Sequence, residues 1–302
     1  MYNTSLCCRA GERVDKIVGF CGQYVRISCN SPAAAALVDF LCADLQDNQH
    51  AQYVQHAKPH AECRLVFSGK ESMSLHREGE LLYQGECRRE LAYALLNEII
   101  FQCLENNDSG PAVHAAAVLC GKKGVLIPGN TGAGKSTFAA WLTACGCGYL
   151  TDELVILSGD EYRIQPFTRP VTLRPEAAAA LAPYVRFNND SAKILTGDSG
   201  FMVPHRLLNP AFTPATPRPA LILFPRFRAG ARTELTKLTP GRGCSRLMEC
   251  YVNARNIPGH GISGLARLSR DVPILQLTYG SFAGLRPLLA DALPEFFRDT
   301  FS

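Results

Sequence analysis

The sequence predicts an α/β protein with a smaller α+β region at its N-terminus. Two apolar runs flank Gly121–Gly124, and the second run enters a glycine-rich loop that is followed by helix-forming residues. Strand-like and helix-like segments also alternate through the first hundred residues. We therefore expect two parts, a small α+β region over residues 1–105 and an α/β domain over residues 106–302. With 47% hydrophobic and 19% charged residues in 302, a core of this size needs no disulfide or metal.

Charge and hydropathy argue against several classes of protein. The formal net charge is +4, with Lys and Arg scattered along the chain, which is too mild to predict nucleic-acid binding. No apolar run approaches the roughly 18–20 residues that span a bilayer. The start, MYNTSLCCRAGERVDK, lacks the apolar core of a signal peptide. We expect no membrane partner and a cytoplasmic location.

Thirteen cysteines raise the alternative of disulfides or a metal site. Their odd number and the long chain favour reduced, buried thiols in the cytosol. Two clusters are candidate metal ligands, Cys145-x-Cys147 and the group of His56, His60 and Cys63. Structural metal sites usually pair ligands at tight, repeated spacing. Since no second C-x-x-C appears, we do not expect cysteine-bound metal.

The N-terminal region predicts strands around one helix, followed by a second helix. Alternation in KIVGFCGQYVRISC indicates strands, and AAAALVDFLCADL has helical spacing. RLVFSG, SMSLHRE and ELLYQG are typical of a meander. A helix is predicted over RRELAYALLNEIIFQCLE, ending before NNDSGP. We expect this region to bind substrate, position a partner chain or mediate self-association as a homo-oligomer.

The C-terminal region begins with a predicted hairpin and the loop. AVHAAAVLCGKKGVLIPG forms the hairpin, STFAAWLTAC a helix, and YLTDELVIL begins a new strand. Further strands are predicted in YRIQPFTRPVTLR and ALILFPRF, with a helix in AAAALAPYVRFNND. The tail after SRDVP predicts one strand and a closing helix. The Pro-rich NPAFTPATPRPA is expected to be a surface connection.

The loop satisfies the pattern G-x-x-x-x-G-K-[ST] at every position. Its predicted nucleotide-binding residues are Gly129, Asn130, Thr131, Gly132, Ala133, Gly134, Lys135, Ser136 and Thr137. Glycines allow successive backbone N–H groups to face phosphate oxygens, and the following helix adds its positive end. Lys135 is expected to reach the outer phosphates, and the Ser136 hydroxyl to bind Mg²⁺. The predicted ligands are ATP and Mg²⁺.

An acidic pair follows the loop closely. Asp152 and Glu153 lie 17 and 18 positions after Lys135, in YLTDELVIL. A kinase site requires an acid that holds magnesium and a group that orients or deprotonates the attacking hydroxyl. We expect Asp152 to be that base and both acids to bind Mg²⁺ with Ser136. A pair of solvated charges at the end of a strand is the alternative.

Four basic residues complete the set of candidates. His114 lies just before the strand that enters the loop and could assist proton movement near neutral pH, or could be a hydrogen-bonded core histidine. Arg226 follows an apolar strand and could neutralise charge on a moving phosphoryl group. Arg169 and Arg174 could hold the base, the phosphates or an acidic peptide. Ordinary surface charge is the alternative for these arginines.

The stretch from VHAAAV through the loop to YLTDELVIL resembles the HPr kinase/phosphorylase family. The matching positions are Val113-His114-Ala115, Gly129 to Thr137, and Asp152-Glu153. The resemblance extends roughly over residues 110–160. Weaker similarity in TRPVTLR and LILFPRF is to the smaller HPr-kinase-like proteins, including lasso-peptide kinases. The resemblance to the HPr kinase/phosphorylase family implies the fold of the phosphoenolpyruvate carboxykinase nucleotide-binding core.

The resemblance implies an ATP-dependent kinase for a serine or threonine hydroxyl of a peptide or small protein, such as a natural-product precursor peptide. Three departures point away from HPr itself as the acceptor. The acidic pair is Asp-Glu rather than Asp-Asp, Ala115 replaces a glycine, and GHGISGL only faintly matches the glycine-rich signature. Two other hypotheses stay open, a nucleotide-binding regulatory or docking protein without phosphotransfer and a kinase for a small metabolite.

Overall fold

The protein is described by a computed structural model, which covers residues 13–45, 58–68, 72–184, 193–298 and 300–301. The chain divides into two compact units, Met1–Cys103 and Leu104–Ser302. Helices and several sheets are mixed along the chain, which confirms the predicted α/β class. Within the described residues, no helix combines the length and apolarity needed to cross a bilayer.

The first unit is built on one five-stranded sheet. Its elements are β1 (Val14–Phe20), β2 (Gln23–Cys29), α1 (Pro32–Cys42), β3 (Ala61–Ser68), β4 (Ser72–Arg77), β5 (Glu80–Gly85) and α2 (Arg88–Glu105). The strands lie in the order β1-β2-β3-β4-β5. Strands β3 to β5 form the predicted meander, whereas β2 and β3 are parallel and the chain between them contains α1. Ser31 is the N-cap residue of helix α1, and its hydroxyl accepts from Ala34 N–H at 3.2 Å.

The second unit contains the loop and two sheets. Its elements are β6 (Ala112–Cys120), β7 (Lys123–Pro128), α3 (Lys135–Ala144), β8 (Gly148–Thr151), β9 (Leu154–Ser158), β10 (Arg163–Pro166), β11 (Val171–Leu173), α4 (Pro175–Leu181), β12 (Leu195–Gly197), β13 (Gly200–Val203), β14 (Pro219–Phe227), β15 (Glu234–Lys237), α5 (Pro240–Met248), α6 (Ile262–Asp271), β16 (Ile274–Tyr279), α7 (Leu285–Ala292) and α8 (Pro294–Phe297). The large sheet has the order β10-β9-β6-β7-β14-β16-β15, and β8 also pairs with β6. A small antiparallel sheet has the order β11-β13-β12.

Side chains on the two faces of the large sheet enter two separate apolar clusters. Val125 and Ile127 belong to the cluster that contains residues of α3, α7 and α8. Leu126 and Phe224 belong to the other cluster, with residues of α5 and α6. This alternation follows the period of two in a strand. Because β7, β14 and β16 are parallel, their carboxyl ends meet at one edge, where the loop leaves β7.

The predicted hairpin is confirmed, since Cys120 and Lys123 are register partners at its turn. The single strand expected from YLTDELVIL is two strands, β8 and β9, interrupted at Asp152 and Glu153. Both strands pair with β6, and the break leaves the acidic pair outside the ladder. The helix expected over AAAALAPYVRFNND ends at Leu181, just before Pro183, and residues 185–192 lie outside the described residues.

Two helices and three strands of the second unit are absent from the sequence prediction: α5, α6, β12, β13 and β15. The single closing helix expected in the tail is two short helices, α7 and α8. Helix α5 has two glycines among its nine residues, which obscures helical propensity. It begins instead from a local signal, a Thr239 hydroxyl that accepts from Arg242 N–H at 3.4 Å, with Pro240 at the first position.

Cys145 and Cys147, weighed as metal ligands, lie in the apolar cluster with α3. The Cys147 thiol is 3.0 Å from that of Cys120, and the cysteines of the described chain are free thiols. Of the histidine cluster, His56 lies outside the described residues. In the described ranges, no group of three or more His, Cys, Asp or Glu side chains is placed to hold a metal ion.

Candidate functional site

The glycine-rich loop joins the buried strand β7 to helix α3. Gly132 and Gly134 have φ values of 87° and 92°, in the left-handed region that favours glycine. A Cβ on Gly134 would lie 3.2 Å from the Tyr279 hydroxyl, so this position is restricted by space as well. Ala133 N–H donates to the Asn130 carbonyl at 3.1 Å, which closes the turn. The remaining loop amides and the helix start form a ready site for anionic oxygens.

The Lys135 ammonium is buried and already oriented. It donates to His114 Nε2 at 2.9 Å and to the Asn130 carbonyl at 3.2 Å. Burial lowers the pKa of Lys135, and the negative charges of Glu153 and Asp152 oppose that shift. The lysine is therefore held at the loop by a histidine on the neighbouring strand.

His114 connects Lys135 to the acidic pair. Its Nδ1 lies 3.1 Å from the Glu153 carbonyl and 3.2 Å from Glu153 Oε1. Because a carbonyl can only accept, Nδ1 carries the proton, and Nε2 is then free to accept from Lys135. This tautomer makes His114 a neutral bridge between an ammonium and a carboxylate. The backbone N–H of His114 donates to the Cys250 carbonyl at 2.7 Å.

The Glu153 carboxylate is ionised and partly open. Burial raises its pKa, but the hydrogen bond from His114 and the positive charges of Arg169 and Lys135 outweigh burial and bring the pKa to about 2. The Glu153 side chain is 31% exposed. A carboxylate offers about four lone-pair sites, and His114 and Arg169 use one each. Glu153 can thus accept from further groups at neutral pH.

The Asp152 carboxylate is fully enclosed. Oδ1 accepts from the Tyr149 hydroxyl and from Arg169 Nη2, both at 3.0 Å, and Oδ2 accepts from Thr172 N–H at 3.0 Å. Burial raises the pKa of Asp152, and the Arg169 charge opposes that rise. The structure gives Asp152 three protein partners, so its bonds serve to fix Arg169 and the start of β11.

Arg169 joins the two acids and is itself buried, with a side chain only 1% exposed. Its Nη2 also donates to Glu153 Oε2 at 2.8 Å, and Nη1 donates to the Thr172 hydroxyl at 2.6 Å. Of the roles weighed for Arg169, its contacts support holding the acidic pair. The polar chain is continuous from Lys135 through His114, Glu153 and Arg169 to Asp152. We name these five residues the carboxylate flank of the loop.

Arg174 and Arg226 lie outside the carboxylate flank. Arg174 is exposed at the N-terminal cap of α4. Arg226 is exposed near the end of β14, the neighbour of β7 on the side opposite β6. There it lines a cavity of about 610 Å³ together with the loop residues Gly129, Asn130, Gly132 and Ala133 and residues outside the loop.

Two further arginines line this cavity, and the sequence prediction did not include them. Arg242 and Arg246 lie one turn apart on α5. With Arg226, they form what we name the arginine flank of the loop. The R-x-x-x-R spacing in GRGCSR was a signal that could have found them, had the helix been predicted.

A supporting segment was also missed. The Asn253 side chain accepts from Ala112 N–H at 2.7 Å and donates to the carbonyls of Asn107 and Gly110, at 3.1 and 3.0 Å. Together with the Cys250 carbonyl, it secures the start of β6, which carries His114. The sequence gives no local pattern for this role, because the partners are about 140 positions apart.

The comparisons with known proteins are sparse. No family model and no curated protein matches the chain. Among solved structures, the HPr(Ser) kinase/phosphatase from Coxiella burnetii is 16% identical, over 62% of this chain and 90% of that chain, with a TM-score of 0.31. A likeness this weak carries no weight for the activity of this chain.

Proposed function

We propose that the protein is a Mg²⁺-dependent kinase that transfers the γ-phosphoryl group of ATP to a Ser or Thr hydroxyl of a peptide or small protein. The observation that carries the proposal is the direct connection from the loop lysine through His114 to an ionised, partly exposed Glu153. A protein that only binds a nucleotide needs the loop, the lysine and a ligand for Mg²⁺, but no group that deprotonates a hydroxyl. Phosphoryl transfer to a hydroxyl needs such a group as well, and the open lone pairs of Glu153 can supply it.

The residues present fit ATP and Mg²⁺. The left-handed glycines Gly132 and Gly134 leave backbone N–H groups for phosphate oxygens, and Lys135 supplies a fixed positive charge. Ser136, in the first turn of α3, and Glu153 would hold the magnesium ion. When bound, that ion neutralises charge on the phosphates.

In this proposal, the role predicted for Asp152 as base falls to Glu153. The oxygens of Asp152 are bonded to protein groups, and its side chain is 0% exposed. Glu153 keeps lone pairs for a hydroxyl hydrogen. Asp152 and Arg169 then act as positioning residues that fix the Glu153 carboxylate.

The transfer step balances as follows. The acceptor hydroxyl oxygen forms a bond to the γ-phosphorus while the bond to the β–γ bridging oxygen breaks, and ADP leaves with that electron pair. The hydroxyl proton passes to the Glu153 carboxylate. A base with a pKa of about 2 suffices, because the proton becomes strongly acidic once its oxygen bonds to phosphorus.

The test is the intact mass of Ser- and Thr-containing peptides after incubation with the protein, ATP and Mg²⁺. A natural-product precursor peptide belongs in the panel. We expect wild type to add one phosphoryl group. Lys135→Ala should lower the rate by about 10³-fold or more. Glu153→Gln should lower it by about 10²–10⁴-fold and leave nucleotide binding measured without Mg²⁺ nearly unchanged.

Lys122→Ala, which removes an exposed lysine in the β6–β7 turn, is the matched control and should transfer normally. Nucleotide binding is measured in parallel by calorimetry. Tight binding with no transfer to any peptide would instead favour a regulatory protein or a small-metabolite kinase. Full activity in Glu153→Gln would remove Glu153 from the base role and return that role to Asp152.

A further inference from the structure

The arginine flank places three positive charges beside a cavity that is lined by no acid of the described residues. Arg226, Arg242 and Arg246 line the cavity, and none of its lining residues is Asp or Glu. Within the described ranges, none of the three side chains forms an ion pair with a carboxylate. Three close positive charges repel one another, so this arrangement is most stable when an anion lies between them.

Arg246 is held in place for binding. Its guanidinium carbon lies 4.2 Å from the centre of the Phe224 ring, and Nη1 donates to Gln276 Oε1 at 2.7 Å. The bond to Gln276 is its one hydrogen bond in the part of the chain that the structure describes. An arginine has five N–H donors, so four stay available to a ligand. Burial lowers the pKa of Arg246, the nearby charge of Glu249 opposes that shift, and the charges of Arg226 and Arg242 add to it.

The register of the sheet determines which side chains lie beside Arg246. Gln276 on β16 is the register partner of Phe224 on β14 and of Thr236 on β15. Arg226 is two residues beyond Phe224 and therefore projects to the same face. Strand register, ring stacking and helical spacing thus bring together side chains from β14, β16 and α5.

A nucleotide alone does not account for these charges. In the proposed function, the loop amides, Lys135 and Mg²⁺ already neutralise the phosphates. The arginine flank is on the β14 side of the loop, whereas His114 and Glu153 are on the β6 side. The flank adds three positive charges beyond that set. Arginine binds carboxylate and phosphate through paired N–H donors.

We propose that the arginine flank binds an anionic oxygen group of the acceptor, a carboxylate or a phosphate close to the hydroxyl that is phosphorylated. This inference rests on the proposed function, since it assigns the acceptor chemistry of the same site. The enzyme then selects acidic or already phosphorylated acceptors over neutral and basic ones.

The experiment uses four pools of Ser-containing peptides that are identical except beside the serine. The flanking residue is Asp, phosphoserine, Asn or Lys. Each pool is tested with wild-type protein, with the Arg242→Met/Arg246→Met double variant, and with Arg270→Met. Arg270 is an exposed arginine in the last turn of α6 outside the cavity, so its variant is the matched control.

Transfer is followed by intact mass, and peptide binding is titrated by calorimetry with a non-hydrolysable ATP analogue and Mg²⁺ present. We expect the Asp or phosphoserine pool to exceed the Lys pool about tenfold or more in kcat/KM. The double variant should lose that preference, while Arg270→Met keeps it. Whether the Asp or the phosphoserine pool leads identifies the source of the anion.

Two outcomes would overturn the inference. In one, the double variant loses affinity for the nucleotide analogue and keeps the wild-type preference among pools, which assigns the arginines to ATP. In the other, wild-type protein shows no preference in either transfer or binding. If no pool is phosphorylated but the acidic pools bind through Arg242 and Arg246, the inference stands while the proposed transfer fails.

Discussion

The two flanks of the phosphate loop contrast in how their charges are compensated. On the β6 side, Arg169 is bonded to both Asp152 and Glu153, and Lys135 is bonded to His114. On the β14 side, Arg226, Arg242 and Arg246 face no carboxylate in their cavity. Both flanks lie beside the same loop and carry arginines, but only one is electrostatically complete without a ligand.

This difference indicates that the two flanks have different functions. Charges that the protein pairs internally are fixed before any ligand arrives, which suits groups that must hold one geometry during a reaction. Charges without an internal partner gain most from a ligand of opposite sign. The carboxylate flank therefore suits chemistry, and the arginine flank suits recognition.

The largest expected effect on stability comes from a substitution in the carboxylate flank. Asp152→Asn removes one of the two carboxylates that pair with buried Arg169 among the described residues, and should cost about 3 kcal/mol of unfolding free energy. Urea unfolding measures it. Asp160→Asn, at an exposed turn, should change stability by less than about 0.5 kcal/mol. Equal effects of the two variants would show that the Asp152–Arg169 pair does not stabilise the unit.

A smaller effect is expected in the pH dependence of the unfolding free energy, through the ionisation of Glu153. The pKa of Glu153 is about 2 in the folded protein against an ordinary 4.5, so its ionised form stabilises the fold above about pH 4.5. That contribution should be lost progressively as the pH falls from 4.5 towards 2. Glu153→Gln should flatten the fall in unfolding free energy across this window. Glu176→Gln, at an exposed helix position, is the control and should keep the wild-type slope.

The smallest expected effect on stability comes from a substitution in the arginine flank. Arg242→Met removes one of three neighbouring positive charges and breaks no ion pair among the described residues, so unfolding free energy should change by less than about 0.5 kcal/mol or rise slightly. Thermal or urea unfolding at low salt measures it. A loss as large as that from Asp152→Asn would contradict the contrast, because it would mean that Arg242 has a stabilising partner within the protein.

Much of the fold could be predicted because its signals are local. The β6–β7 hairpin, the helix over Arg88–Glu105 and the strand over Pro219–Phe227 each follow from hydrophobic periodicity and turn residues. Helix α5 was missed because its glycines weaken the pattern, although tertiary burial of Gly243 and Leu247 stabilises the helix. The break between β8 and β9 was missed because the polar Asp152 and Glu153 separate two short apolar halves, and the sequence pattern does not distinguish such a break from one continuous strand.

The sequence by itself determined the loop, its lysine and the nearby acidic pair, because these contacts follow from short spacing in the chain. Only the tertiary structure decided which acid is open, since enclosure of Asp152 depends on Tyr149, Arg169 and Thr172. It also decided that Arg226 meets Arg242 and Arg246 across one cavity. Burial and charge pairing depend on neighbours from distant strands and helices, and sequence spacing does not encode them.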